Sequence, residues 1–134
     1  MIDGMVHERQ FVTSFIPKAK QERVLMFLAD PKRRVEFTRG LAHFDGFDPR
    51  FASPLPSGTR TPEAAITLLQ RKGAEEVVWV ISEDGNMDRR ALPLGEAIQA
   101  IWGGSMGTIL SCVPGKLAFF RGEEIKSETL LERR

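Results

Sequence analysis

Few residues in the chain have the type and spacing to do chemistry. Gly103-Gly104-Ser105-Met106-Gly107 matches G-x-S-x-G, the nucleophile elbow of serine hydrolases. An elbow runs from strand through a sharp turn into helix, and its triad histidine follows the serine. Here a helical pattern ends before the glycines and a strand-like run, "TILSCV", follows them. Both histidines, His7 and His43, precede Ser105. The run therefore reads as a glycine joint that stops a helix, and no catalytic residue is assigned. A phosphate loop ending at Gly115-Lys116 would need glycine at 110 and Ser or Thr at 117, and both positions are leucine.

The stretch Glu83 to Asp88 places Asp84, Asn86 and Asp88 at the first three ligand positions of a calcium loop. Arg89 and Gly95 stand where that loop needs glycine and glutamate. A polar turn leaving a strand explains the same residues. Even so, Glu83, Asp84, Asp88, Arg89 and Arg90 lie at the expected carboxyl end of a strand, where α/β sheets bind ligands. Together with His43, which Asp45 and Asp48 could orient, they form the candidate ligand-binding set. The helix dipole offers a structural reason for His43. The lone cysteine, Cys112, excludes an internal disulfide and, with two histidines, makes a Cys/His metal site unexpected. No cofactor or metal is assigned.

These residues are set in an ordinary globular background. The 134 residues suit one domain, with 1–9 and 123–134 expected to be frayed or peripheral. A hydrophobic fraction of 42% with net charge +1 argues against disorder and against a nucleic-acid binder's basic face. The longest apolar runs fall far short of the roughly 18 residues that span a bilayer, and the N-terminus lacks signal-peptide character. A soluble, cytoplasmic protein without membrane contact is expected. Charge is unevenly placed: Lys18 to Arg39 holds seven basic residues against three acidic, and Glu75 to Glu96 six acidic against two basic. Two solvated, mutually attracting faces explain this most simply. A docking surface for a protein partner is the sharper reading, built from Lys32, Arg33 and Arg34 with Phe47, Phe51 and Trp102 as apolar contacts.

The pattern predicts a short strand over 10–16, with a helix as its alternative, helices over 17–29 and 32–44, and a long Pro/Gly loop over 45–60. A helix over 62–72, a strand over 75–82 and a helix over 94–102 follow. The hairpin 108–113/116–121 closes around Pro114-Gly115, and the charged tail is left as a short helix or frayed end. Strand, helical crossover and strand suggest a βαβ-like unit with parallel strands. The expected fold is α+β: a small mixed sheet with one such crossover and a C-terminal antiparallel hairpin, packed by three to four helices. Two functions fit this frame. One is a non-catalytic interaction or regulatory module, with self-association open to it. The other is a small ligand-binding domain or enzyme with its site after the 75–82 strand.

Overall fold

The computed structural model describes residues 2–123 and 128–133. Helix α1 (Gly4–Phe15) begins where the Asp3 carboxylate accepts from the N–H groups of Met5 and Val6, at 3.0 and 3.3 Å. It buries His7, Phe11 and Phe15, spaced by four, with Val12 beside them. This corrects the strand expected over 10–16 in favour of its helical alternative, and the helix takes in residues 4–9 as well (Met1 lies outside the described residues). The four-residue spacing begins at His7, so a reading that starts at Gln10 sees only its alternating end. Pro17 separates α1 from α2 (Lys18–Ala29), which buries Val24 and Leu28. Asp30 ends α2 and caps α3 (Pro31–Arg39) through the Lys32 N–H at 3.0 Å. The predicted 32–44 helix breaks at Gly40 into a 3-10 turn, Leu41–His43. Phe37, Leu41 and Phe44 still join one apolar cluster.

After a loop, β1 (Ala52–Pro54) leads to α4 (Pro62–Arg71), capped by the Thr61 hydroxyl. Strand β2 (Val77–Ser82), a polar turn and β3 (Ala91–Pro93) form a hairpin that feeds α5 (Leu94–Ile101). Strands β4 (Thr108–Val113), β5 (Leu117–Arg121) and β6 (Glu128–Glu132) complete a six-stranded sheet of order β1-β6-β5-β4-β2-β3.

Every pairing is antiparallel, including β2 with β4, where Trp79 faces Ser111 and Ser82 faces Thr108. The α+β class stands, but the mixed sheet and its parallel crossover do not. The cause is β3. It returns the chain along β2 before α5 starts, so the helix climbs back and β4 descends beside β2. Among the described residues five α-helices pack the sheet rather than three or four. The tail is also corrected: β6 lies between β1 and β5, with Leu130 and Leu131 buried on opposite faces. The expectation for 124–127 and 134 falls outside the described residues.

The hairpin conforms to the sequence reading. Lys116 N–H donates to Val113 O at 3.0 Å and Gly115 has φ 71°, as the third residue of a type II turn requires. The register shifts between Ser111 and Val113, and this bulge accommodates the splay of that turn. Leu110, Cys112, Leu117 and Phe119 face one core with α4 and α5. Ile109, Ala118 and Phe120 face the other with α1 and α2. Two apolar cores therefore sandwich one sheet, which is why its strands are apolar on both faces.

Candidate functional site: an arginine-centred cleft

The polar turn after β2 holds itself together. The Asp84 carboxylate accepts from Asn86 N–H at 2.9 Å, and Asp84 N–H donates to the Ser82 hydroxyl at 3.0 Å. Glu83 accepts from Gly107 N–H at 3.4 Å, and Arg90 donates to the Asn86 carbonyl at 3.2 Å. Asp88 reaches furthest. Its carboxylate takes Ser82 N–H at 2.9 Å and receives Arg34 in bidentate fashion, Nε at 2.8 Å and Nη2 at 2.9 Å.

Arg34 is the buried centre of this arrangement, 3% exposed. Its Nη1 donates to Glu8 Oε1 at 2.8 Å and to the Leu28 carbonyl at 3.3 Å. The other oxygen of Glu8 accepts from Trp79 Nε1 at 2.8 Å. Burial alone would weaken the hold of the guanidinium on its proton. The hydrogen bonds to Asp88 and Glu8 outweigh that cost and push its pKa up, so the group stays charged. One side chain thus ties α1, the end of α2, α3, β2 and the turn that follows β2.

A cleft of about 760 Å³ opens beside this network. Trp79, Leu25 and Leu28 give it apolar walls, Arg34 and Glu8 reach it from the network, and Arg9 and Arg89 are further lining residues. Gly4 lies against the six-membered ring of Trp79, where a Cβ would overlap the indole. That glycine is required by close approach. Arg89 has φ 61°, the positive φ found at no other non-glycine among the described residues.

The sequence candidates are divided by this geometry. Asp88 and Arg34, assigned to separate ligand and partner surfaces, meet in one ion pair. Arg89 lines the cleft, whereas Glu83, Asp84 and Arg90 serve the turn. His43 does not join them: its Nε2 lies 2.7 Å from Glu123 on an exposed surface. Lys32 and Arg33 are exposed, and Arg33 contacts the Met26 sulfur at 3.3 Å. Phe47 packs among Phe11, Phe44 and Phe120, and Phe51 lies between Arg50 and Arg133. Leu55 is buried. Trp102 stacks on Phe119 with Arg121 over its ring. Phe47, Phe51 and Trp102 are thus each partly buried against the apolar clusters.

The nucleophile candidates are equally constrained. Ser105 is exposed and makes no hydrogen bond among the described residues. Helix precedes Gly103 and strand follows Gly107, as the joint reading requires. Gly103 has φ 82°, and a Cβ at Gly107 would overlap the backbone of Leu41 and Ala42. The serine beside a histidine is Ser111, whose Oγ lies 2.7 Å from His7 Nδ1. Both are buried under α1, and burial pushes the His7 pKa down. The pair pins α1 to β4. Burial pushes the Cys112 thiol up to about 12, which leaves it inert as a nucleophile at neutral pH.

Glu8, Arg9, Trp79 and the α2 leucines escaped the sequence reading because nothing local links them. The one available signal was the opposed charge of the segments holding Arg34 and Asp88. Among the described residues no cluster of three or more His, Cys, Asp or Glu could hold a metal, and no helix is long and apolar enough to cross a membrane. Compared with protein-family models, curated proteins and solved structures, the chain matches none of them.

Proposed function

We propose that this domain is a non-catalytic ligand-binding module whose cleft between α1, α2 and β2 takes a small molecule with an apolar body. The observation that carries this reading is the cleft itself. Its volume of about 760 Å³ falls within the roughly 300–1,000 Å³ of small-molecule sites. Its composition also fits: aliphatic and indole walls with a few fixed polar groups. The Arg34 network holds those walls, since Glu8 fixes the indole from one side while Gly4 lies against it. The burial of Ser111 and Cys112 and the exposure of Ser105 support a binding role over a nucleophilic one.

A thermal-shift screen of organic acids, alcohols, amines, sugars and nucleotides tests the reading. Stabilising compounds should carry an apolar body, and Leu25→Arg, which places a charge on the apolar wall, should abolish their effect. A screen without stabilising compounds, or stabilisation indifferent to Leu25→Arg, would reject the cleft.

The outer face of α2 and α3 favours a second reading as an interaction module. Met26 and Val35 are 47% and 53% exposed there, beside the exposed Lys32 and Arg33. A strip that is both basic and apolar suits an acidic, partly apolar protein segment. Retention on immobilised polyglutamate should fall in a Lys32→Glu, Arg33→Glu variant. Equal retention of wild type and variant would count against this face.

A further inference from the structure

We infer that the ligand of the cleft is an amphipathic monocarboxylate whose single negative charge is read by Arg9 and Arg89. The inference rests on the cleft reading above and adds the chemical class of the ligand. Three observations carry it. First, the other charged groups nearby are already engaged. Arg34, Glu8 and Asp88 satisfy one another, and the Asp3 carboxylate caps α1. Arg9 and Arg89 also line the cleft, yet neither has an ion-pair partner among the described residues. Two free guanidiniums are what the cleft has left to offer.

Second, Arg89 sits where the backbone would prefer another residue. It occupies the left-handed region at φ 61°, held there by its N–H donating to the Val80 carbonyl at 2.9 Å. Glycine reaches that conformation freely, and asparagine more easily than arginine. The local turn therefore gains nothing from arginine. What the arginine adds is a cation at the cleft, and unfavourable backbone states of this kind concentrate at ligand sites.

Third, the charge count limits the anion. Of the charged groups that line the cleft, Arg9, Arg34 and Arg89 outnumber Asp3 and Glu8 by one, so a monoanion neutralises the lining and a phosphate dianion leaves one excess negative charge. The dianion would also face the Asp3 and Glu8 carboxylates with its second charge. With Trp79, Leu25 and Leu28 as walls, the remainder of the ligand is apolar. A carboxylate on an alkyl or aryl body satisfies both demands, because a guanidinium pairs with a carboxylate in fixed fork geometry.

The test uses the full-length chain in a Trp102→Phe background, which leaves Trp79 as its only tryptophan. Octanoate, 1-octanol and octylammonium are titrated in parallel, followed by Trp79 emission and by calorimetry. Octanoate should bind at least about tenfold more tightly than 1-octanol, the size of one charge-assisted contact, and octylammonium most weakly. Arg89→Gly should reduce octanoate affinity about tenfold, to the level of 1-octanol. The same variant should melt no lower than its parent, because glycine relieves the backbone. That pairing separates loss of a ligand contact from loss of fold. Equal affinities for octanoate and 1-octanol with a clear Trp79 response would overturn the carboxylate class and leave the cleft standing. Undiminished octanoate preference in both Arg89→Gly and Arg9→Gln would overturn the assignment to these arginines. No Trp79 response to any of the three probes would reject the cleft together with its ligand.

Discussion

Removal of the Arg34 charge tests the network that shapes the cleft. In Arg34→Met the aliphatic stem is nearly conserved, but two carboxylates lose their cation. Breaking a buried ion pair by deleting one partner costs about 3–5 kcal/mol, because the other charge stays buried. The side chains of Glu8 and Asp88 keep 14% and 16% exposure, so some hydration remains and about 2–4 kcal/mol is the appropriate range. For a chain of this length that is a fall in Tm of roughly 6–16 °C. The triple variant Arg34→Met, Glu8→Gln, Asp88→Asn removes all three charges but retains acceptors for the Trp79 and Ser82 N–H groups. It should recover most of the loss, to within about 1 kcal/mol of wild type, as neutral replacement of buried ion clusters does. Urea unfolding followed by circular dichroism gives both numbers. A loss below about 1 kcal/mol in the single variant would show that the network does not hold the fold. A triple variant as unstable as the single would place the cost in packing rather than charge.

Further predictions concern α1, the glycine joint and the core. His7 has a lowered pKa in the folded chain, so below about pH 6.5 the unfolded state binds more protons and stability falls with pH, by at most about 1.4 kcal/mol per unit. The contribution is complete above that pH and declines as pH drops toward the folded value. Chemical unfolding between pH 7.5 and 5 should show this slope, flattened in His7→Asn; parallel slopes would exclude His7 as its source. Gly107→Ala should cost about 1–3 kcal/mol, because its methyl meets backbone that cannot rotate away. Ser105→Ala at the exposed centre of the same joint should be neutral in urea unfolding, and equal losses at both positions would contradict the close-approach argument. Cys112 should resist thiol reagents at pH 8 and become reactive with the urea transition, so prompt labelling of the native protein would contradict its burial.

The parts of this fold that were legible in the sequence are those fixed by neighbours in the chain. Asp30-Pro31 and Thr61-Pro62 announce helix starts because cap and proline act within one turn. Pro114-Gly115 fixes a hairpin, and period two then assigns Leu110 and Phe119 to one face and Ile109 and Phe120 to the other. The errors share a different cause. A spacing of about 25 residues between two apolar strands suits a parallel crossover, but it also holds β3, a three-residue strand too short to leave a pattern. "ETLLE" lacks the alternation of a strand with one wet face because β6 lies inside the sheet and buries both of its leucines. At the site, Asp88 and Arg34 were each singled out, but their contact spans 54 residues. Trp79, within a continuous apolar strand, is a core residue by every local criterion. Only the α1 packing makes its indole a cleft wall.

That dependence on α1 joins the stability of the fold to its binding site. Ile2 to Arg9 supply one side of the cleft, and three polar contacts fix them there. His7 bonds to Ser111 on β4, and Glu8 bonds to Arg34 and Trp79. The two residues are adjacent in sequence and bind different elements, His7 the strand β4 and Glu8 both β2 and α3, so α1 can leave neither contact without straining its neighbour. A ligand held by Arg9 on α1 and by Arg89 on the β2–β3 turn would bridge the same two bodies that the Glu8–Arg34–Asp88 network bridges. Its binding free energy would then add to the docking of α1 by mass action. The buried network sets the cleft's shape without meeting the ligand's charge, which falls to Arg9 and Arg89. This division explains why the buried Arg34 carries two carboxylates while, among the described residues, the cleft's other two arginines carry none.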